Sequence, residues 1–495
     1  MSTVVVIGAG VGGLSAAVRL QAAGHRVTVL ERSAEVGGKL GTWERDGFVF
    51  DTGPSLVTMP HLLAELFADT GAPVEEVLVL ERLATACRYT FPDGTVLDLP
   101  GTLAEIPAAL DGALGPGAGA QWSAFLGRAE RIWDVTHEPF LESPVTPGDL
   151  VRLSRRWSDV ATVAPWRSLR DLGASYLVDP RLRMLLDRYA TYTGSDPRRA
   201  PAALATVPWV EQAWGSWYVP GGLGRIATAL VDRLVALGGA LRTGCEVAEV
   251  LTERGRAGGV RLVDGTVLVA DTVVANADAA QVYGRLVRGR AVRRARARLA
   301  RATPSLSGFV LLLGLDDPPD VAHHQVLFAE DYDAEFDAVF GRGGPPRPVE
   351  RPTVYVCAPA DPAVVPGPGT GSWFVLVNAP RHDPLGGVDW DAPGLAASYA
   401  DRVLAVLASR GLDVRSRVRL REVLTPADLE RRTLAPGGSI YGTSSNGARS
   451  AFLRPANRSP LPGLFLVGGS AHPGGGLPLV VLSARIVADL VGPAT

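Results

Sequence analysis

Six residues near the start of the chain, Gly8-Ala9-Gly10-Val11-Gly12-Gly13, carry the first chemistry legible in the sequence. Glycines at the first, third and sixth places leave bare backbone against which a pyrophosphate can lie. Gly8 permits a tight turn, Gly10 lets the phosphates approach, and Gly13 lets the next helix pack close to its strand. A helix starting here also points unpaired N–H groups at the anion. Glu31, about 20 residues on, is placed to accept hydrogen bonds from an adenosine ribose, and its charge disfavours a 2′-phosphate. A second cluster follows: Ser33–Thr42 reads SAEVGGKLGT, and then comes Phe48-Val49-Phe50-Asp51-Thr52-Gly53-Pro54. It sets one cation, Lys39, directly behind a glycine pair. Lys39 is the only lysine in a chain whose Lys and Arg together number 49. Arginine-rich codon usage explains the other 48, and a compact ammonium kept at this spot points to a phosphate contact.

The elements that position these residues read as follows. Thr3–Gly8, TVVVIG, is a buried parallel strand. An Ala/Leu-rich helix runs to about Ala23 and is stopped by Gly24. Arg26–Glu31 is the second strand, which completes a βαβ unit. Tyr218–Gly224, YVPGGLG, precedes a helix over Ile226–Leu237 with Ile226, Leu230, Leu234 and Leu237 on one face. Strands are predicted at Gly239–Thr243, Val247–Leu251 and Thr272–Asn276, with a hairpin turning at Asp264-Gly265. Near the end, Leu464–Val467 is a strand, Gly468–Gly476 a glycine-rich turn, and a helix runs from Pro478 to about Val491. Pro478 suits a first helical turn.

The 495 residues allow two or three domains. A net charge of −2 and a pI near 6.4 exclude a general nucleic-acid binder. Cys87, Cys245 and Cys357 lie too far apart in sequence for a disulfide framework or a metal cluster, and fit a reducing cytosol. The seven histidines show no metal-binding spacing, so no metal is expected. The N-terminus lacks the basic region of a signal peptide. The longest uncharged stretch, Ser459–Ala484, holds four prolines and six glycines, too many breaks for a lipid-exposed helix.

The glycine pair, Lys39 and Asp51-Thr-Gly53-Pro54 resemble the second motif of the FAD-containing amine oxidase and carotenoid desaturase superfamily. Leu434–Gly442 (LAPGGSIYG), Arg454-Pro-Ala-Asn457 and the run from Leu464 to Leu490 resemble the bacterial carotenoid desaturase family of the phytoene desaturase type, which includes carotenoid-end desaturases and oxidases. Asp179–Arg183, Tyr189–Gly194 and Trp214–Gly222 look like further family segments. The stretch 444–452 is closer to the branches that act on carotenoid ends.

The resemblance implies an α/β fold: a Rossmann-type FAD-binding domain of the glutathione reductase/amine oxidase kind, a mixed-sheet substrate domain and a helical, membrane-facing cap. The FAD domain is expected over 1–85, 217–290 and 432–495. The substrate domain is expected over 86–100, 205–216 and 291–431, and the cap over 101–204. FAD contacts are implied for Gly8, Gly10, Gly13, Glu31, Gly38, Lys39, Gly53, Pro54, Val247 at the adenine, Asn276 near the diphosphate, Gly469, Pro478 and Leu479. Tyr189, Tyr192, Trp217 and Tyr218 are expected to line the substrate site. His472 is either a base or a residue that fixes its glycine loop, and the second role is favoured; no acid/base residue is assigned.

The implied activity is desaturation of an acyclic carotenoid by hydride transfer to flavin N5, with oxygen or a quinone as final acceptor. The alternatives are a carotenoid-end oxidase and a flavin-free prenyl-binding escort protein on the same fold. An amine oxidase fits less well, for want of an aromatic cage around a polar amine site. A substrate of about forty carbons, at ~0.8 kcal/mol per CH₂, would cost on the order of 30 kcal/mol to bring through water. It is therefore expected to come directly from a membrane, which makes the protein cytoplasmic and peripheral on the inner face of the cell membrane. Self-association is left open. Trp122, Trp133, Trp157, Trp166, Trp209, Trp214 and Trp217 cluster in the middle of the chain, as interface anchors or as ordinary core. Arg285–Arg301, with eight arginines, is either a lipid-facing patch or a solvated helix.

Overall fold

A computed structural model describes residues 2–144, 157–447 and 454–494. The β-branched run Thr3–Ile7 is the middle strand of a five-stranded sheet with all-parallel pairing. Across the sheet the order is Leu464–Leu466, Thr272–Ala275, Thr3–Ile7, Arg26–Leu30, Ala240–Arg242. Both faces are covered, which is why these strands are apolar at successive positions rather than alternate ones. On one face Val4, Val6, Val27 and Val29 pack with Leu14, Leu230 and Val481 from the helices Val11–Ala22, Arg225–Ala236 and Leu477–Val491. On the other, Val5, Ile7 and Val273 pack with Val250 and Val260 of a three-stranded antiparallel sheet, 247–269. Its second hairpin turns at Gly265, held at φ +90°.

A seven-stranded mixed sheet forms the second layer. Ser307–Asp316 and Thr370–Ala379 pair antiparallel over ten residues at its heart. Thr85–Thr90 joins it by parallel pairing to His324–Leu327. One side packs on the helix Leu395–Ser409 through Leu311, Leu313, Val403 and Leu407. Helices Ile106–Leu114, Ala118–Thr136, Pro180–Arg188 and Thr206–Trp214 form a further body, with Trp122, Phe125, Leu182 and Leu186 in its core. The clustered tryptophans divide by burial. Trp122 and Trp133 are core, Trp209, Trp214 and Trp217 half-buried, and Trp157 and Trp166 exposed at 81% and 69%. Residues 448–452 of the 444–452 stretch lie outside the described residues.

Asp51 joins the hairpin Thr42–Arg45/Phe48–Asp51 to the parallel layer. Its carboxylate accepts the N–H of Leu223 at 2.8 Å and of Gly224 at 2.9 Å, where the helix Arg225–Ala236 begins. Burial raises the Asp51 pKa, and these two N–H bonds oppose the rise. A Cβ on Gly224 would stand 2.1 Å from Thr42 Oγ1, so the YVPGGLG glycine lets the hairpin close on the helix start. Asp51→Ala is expected to orphan both N–H groups at about 1–3 kcal/mol each. A thermal or urea midpoint unchanged from the parent chain contradicts this.

Candidate functional site

The glycine turn Gly8–Gly13 closes around one residue, Asn276, which follows strand Thr272–Ala275. A Cβ on Gly8 would lie 2.7 Å from Asn276 O, and one on Gly10 2.7 Å from Asn276 Nδ2. A Cβ on Gly13 would lie 2.2 Å from Gly8 O. Gly468, from the C-terminal turn, meets the same amide: its Cβ would stand 2.4 Å from Asn276 Oδ1. Two glycine turns far apart in the chain are thereby locked together. Helices Val11–Ala22 and Leu477–Val491 start from them, capped by Gly10 and Gly476 with no side chain on their first N–H groups. Glu31 accepts the N–H of Ala9 at 2.8 Å and both the N–H and the hydroxyl of Ser33 at 2.9 Å, which fixes its carboxylate beside the first turn.

Lys39 is held against this cradle. A Cβ on Gly38 would stand 3.3 Å from Gly10 Cα, and one on Gly53 1.8 Å from Lys39 O. The Lys39 ammonium donates to the carbonyls of Ser439, at 3.1 Å, and Ile440, both inside LAPGGSIYG. Burial lowers its pKa to about 8, with Asp278 opposing the fall and Arg454 adding to it. Asp278 uses Oδ1 to accept the N–H of Ala280, and Oδ2 is buried with no partner among the described residues. Arg454 donates to the carbonyls of Tyr441 and Gly469. The cluster carries two positive charges against one negative, beside an unsatisfied carboxylate oxygen.

All of this lines one cavity of about 1040 Å³. Gly8, Gly10, Glu31, Gly38, Lys39, Gly53, Pro54, Val247, Asn276, Gly469, Pro478 and Leu479 all contribute to its wall. Gly13 does not; it acts behind the wall, packing helix on strand. The cavity continues into a chamber lined by Leu204, Val207, Val310, Phe374 and Leu376. Of the four aromatic candidates, Tyr192 lines it. The others are not among its lining residues. Tyr189 is fully buried behind it, donating to Glu211 at 2.8 Å and accepting from Gln212. Trp217 and Tyr218 form a short strand paired with Glu81–Arg82, and Tyr218 donates to Asp361. Their place in the chain, next to a glycine segment of the parallel layer, spends them on joining layers.

His472 lines the cavity, and its Nε2 lies 3.0 Å from Ser143 O. Burial lowers its pKa to about 4, so it is neutral at ordinary pH and ties the glycine loop to the segment before residue 144. Arg285 lines the cavity and pairs with Glu246 at 2.9 Å, while Arg296 donates to the carbonyls of Tyr283 and Val287. The arginine run is thus partly engaged with its own layer.

Residues 11–492 match the model of the family described as flavin containing amine oxidoreductase. The chain belongs to that family. It is 35% identical to the 4,4'-diapolycopene oxygenase of Methylomonas sp over 99% of this chain and 97% of that one. It is also 35% identical to the hydroxyneurosporene desaturase of Rhodobacter capsulatus over 99% of both. An oxidoreductase from Methanosarcina mazei shares the fold at a TM-score of 0.63 and 19% identity, over 98% of this chain and 100% of that one. The cofactor is FAD. The residues present fit it: a glycine cradle with no room for Cβ atoms, two open helix starts and a net positive cluster share one wall.

Four cavity residues escape a reading of the sequence: Arg188, Glu211, Tyr355 and Tyr441. The one local signal is the spacing of Arg188 and Tyr192, which puts them on one side of a helical turn. Gly53→Ala is expected to push the Lys39 loop off the wall, lowering both the melting temperature and the FAD that copurifies. Gly112→Ala, inside the helix Ile106–Leu114 where a Cβ meets nothing within 4 Å, is expected to leave the FAD content unchanged and not to lower the melting temperature. Flavin absorbance per protein and a thermal melt check both outcomes.

Proposed function

We propose that this chain is an FAD-dependent carotenoid desaturase that draws an acyclic carotenoid from a membrane surface and removes two hydrogens per step. The observation that carries this reading is the continuity of the cavity: the glycine cradle opens directly into an apolar chamber. When bound, FAD supplies the acceptor for the hydride, and the substrate's second hydrogen leaves as a proton. The protein's own part is alignment and exclusion of water. Oxygen or a quinone then takes the electrons. Amine oxidation fits poorly. The aromatic cluster that could receive an ammonium, Tyr89, Tyr192 and Tyr355, already surrounds the Arg188 guanidinium, with ring centroids 5.1 to 5.7 Å from its Cζ. A second reading, a carotenoid-end oxygenase, is favoured by the equal identity to the Methylomonas sp enzyme.

No helix among the described residues is long and apolar enough to cross a membrane. The exposed Trp157 and Trp166 support a cap that rests on the lipid surface. In this reading Gly8, Gly10, Asn276 and the first helix hold the diphosphate, Glu31 the ribose and Val247 the adenine. Gly469, Pro478 and Leu479 flank the flavin at the second helix start. Lys39 neutralises phosphate charge, supported by its contact with the cradle through Gly38.

Expression in a host that makes defined acyclic carotenoids, with pigment masses measured, tests the function. Loss of two hydrogens per step is expected; gain of an oxygen selects the oxygenase, and no change in any pigment contradicts both. Lys39 gives a separate test. The ammonium is charged below about pH 8, and a bound phosphate favours the charged form. FAD affinity is therefore full below that pH and falls as pH rises through it. Lys39→Met is expected to weaken FAD binding about ten-fold or more, as for loss of a charged hydrogen bond, and to flatten the pH dependence. Lys39→Arg is expected to be milder. Titration of the apoprotein with FAD reads each of these.

A further inference from the structure

A hydrocarbon places no demand for charge on its chamber, yet Arg188 and Glu211 both line it. They are 8% and 5% exposed. Arginine stays ionised in any protein setting, and a buried charge is costly unless well partnered. The partners here are phenols. Arg188 Nη1 donates to Tyr192 Oη at 2.9 Å and to Tyr89 Oη at 3.4 Å. Among the described residues no carboxylate lies within ion-pairing distance of Arg188. Glu211 instead accepts the hydroxyls of Tyr189 and Tyr192, each at 2.8 Å. Tyr192 thus stands between the two, accepting from one and donating to the other.

The wall therefore offers N–H donors and carboxylate lone pairs side by side. A carboxylate has about four acceptor sites, and two are taken. The small group that satisfies both sides is a hydroxyl, which accepts from a guanidinium and donates to a carboxylate. A ligand carboxylate would face Glu211, and an ammonium would face Arg188. The position is also informative. Arg188 lies over the Tyr355 ring, and Tyr355 Oη is 2.5 Å from Ser55 Oγ, the residue that follows Gly53-Pro54. The polar patch is one tyrosine ring from the segment that flanks the cofactor wall.

We infer that Arg188, Tyr192 and Glu211 form a subsite for a hydroxyl on the end of the carotenoid, so that the preferred substrate is an end-hydroxylated acyclic carotenoid. This rests on the carotenoid reading above. The hydroxyl is a handle and does not react; the C–H bonds that break lie near that end of the chain, because the subsite is near the cofactor wall.

The test uses full-length, FAD-loaded protein and phosphatidylcholine vesicles carrying either neurosporene or 1-hydroxyneurosporene. Anaerobic loss of flavin absorbance is followed at limiting substrate. The hydroxylated substrate is expected to reduce the flavin about ten-fold faster or more, the scale of a charge-assisted hydrogen bond. Arg188→Met and Tyr192→Phe are each expected to bring the ratio of the two rates to within about two-fold of unity. FAD content and a thermal melt confirm that each variant is folded. Tyr192→Phe deletes one oxygen and keeps the ring, so it decides the matter if Arg188→Met does not fold. Equal rates in the parent protein, or a ratio that survives in a folded variant, overturn the inference while leaving desaturation intact. If neither substrate bleaches the flavin, the carotenoid reading fails and the inference falls with it.

Discussion

The structure turns on the closeness of two glycine turns to one amide. Asn276 fills the space that side chains at Gly8, Gly10, Gly13 and Gly468 would need. A single added methyl at Gly13 would run into backbone at 2.2 Å, which no rotamer change relieves. Because the turns are bare, both helix starts come up to the same wall, and the cation cluster can be laid alongside. The parallel sheet, the hairpin that ends at Asp51 and the Lys39 loop all serve to hold that spacing.

A parallel physical division separates the two ends of the cavity. At the cradle, polar needs are met by backbone: bare N–H groups, and carbonyls that accept from Lys39 and Arg454. Such a wall suits a ligand that is always the same. In the chamber, specificity has to come from side chains on an otherwise apolar lining, and it is concentrated in a few residues on two helices, Pro180–Arg188 with the turn that follows it, and Thr206–Trp214. A Trp122–Gln212–Tyr189 chain of hydrogen bonds backs that patch and fixes it from behind.

How far the sequence could be read follows the same division. Constraints on the backbone are local, so Gly8–Gly13, Gly53 and Gly468–Gly476 mark their positions in the sequence itself. Twelve of the thirteen residues expected at the cofactor line the cavity, and Gly13 supports it from behind. The aromatic candidates fared differently. Tyr189 and Tyr192 are three residues apart on a tight turn, and only burial shows that Tyr192 faces the chamber while Tyr189 faces Gln212. Glu211 sits in an apolar helical run, where an acid carries no meaning until Tyr189 and Tyr192 are seen to donate to it. The tryptophans were ambiguous for a related reason. Core and interface call for the same side chain, and only exposure separates Trp122 from Trp157.

The strand order of the parallel sheet bears on how the chain is made. The first strand synthesised, Thr3–Ile7, pairs with Thr272–Ala275, which in turn pairs with Leu464–Leu466. The second glycine turn, Gly468–Gly476, follows that last strand. At the usual pace of translation, tens of seconds separate the two halves of the cradle as they leave the ribosome. The nascent chain cannot finish this sheet early, and its apolar first strands wait unpaired on one edge. Completion of the nucleotide fold thus waits until Leu464–Leu466 and the glycine turn after it have been made, long after Thr3–Ile7.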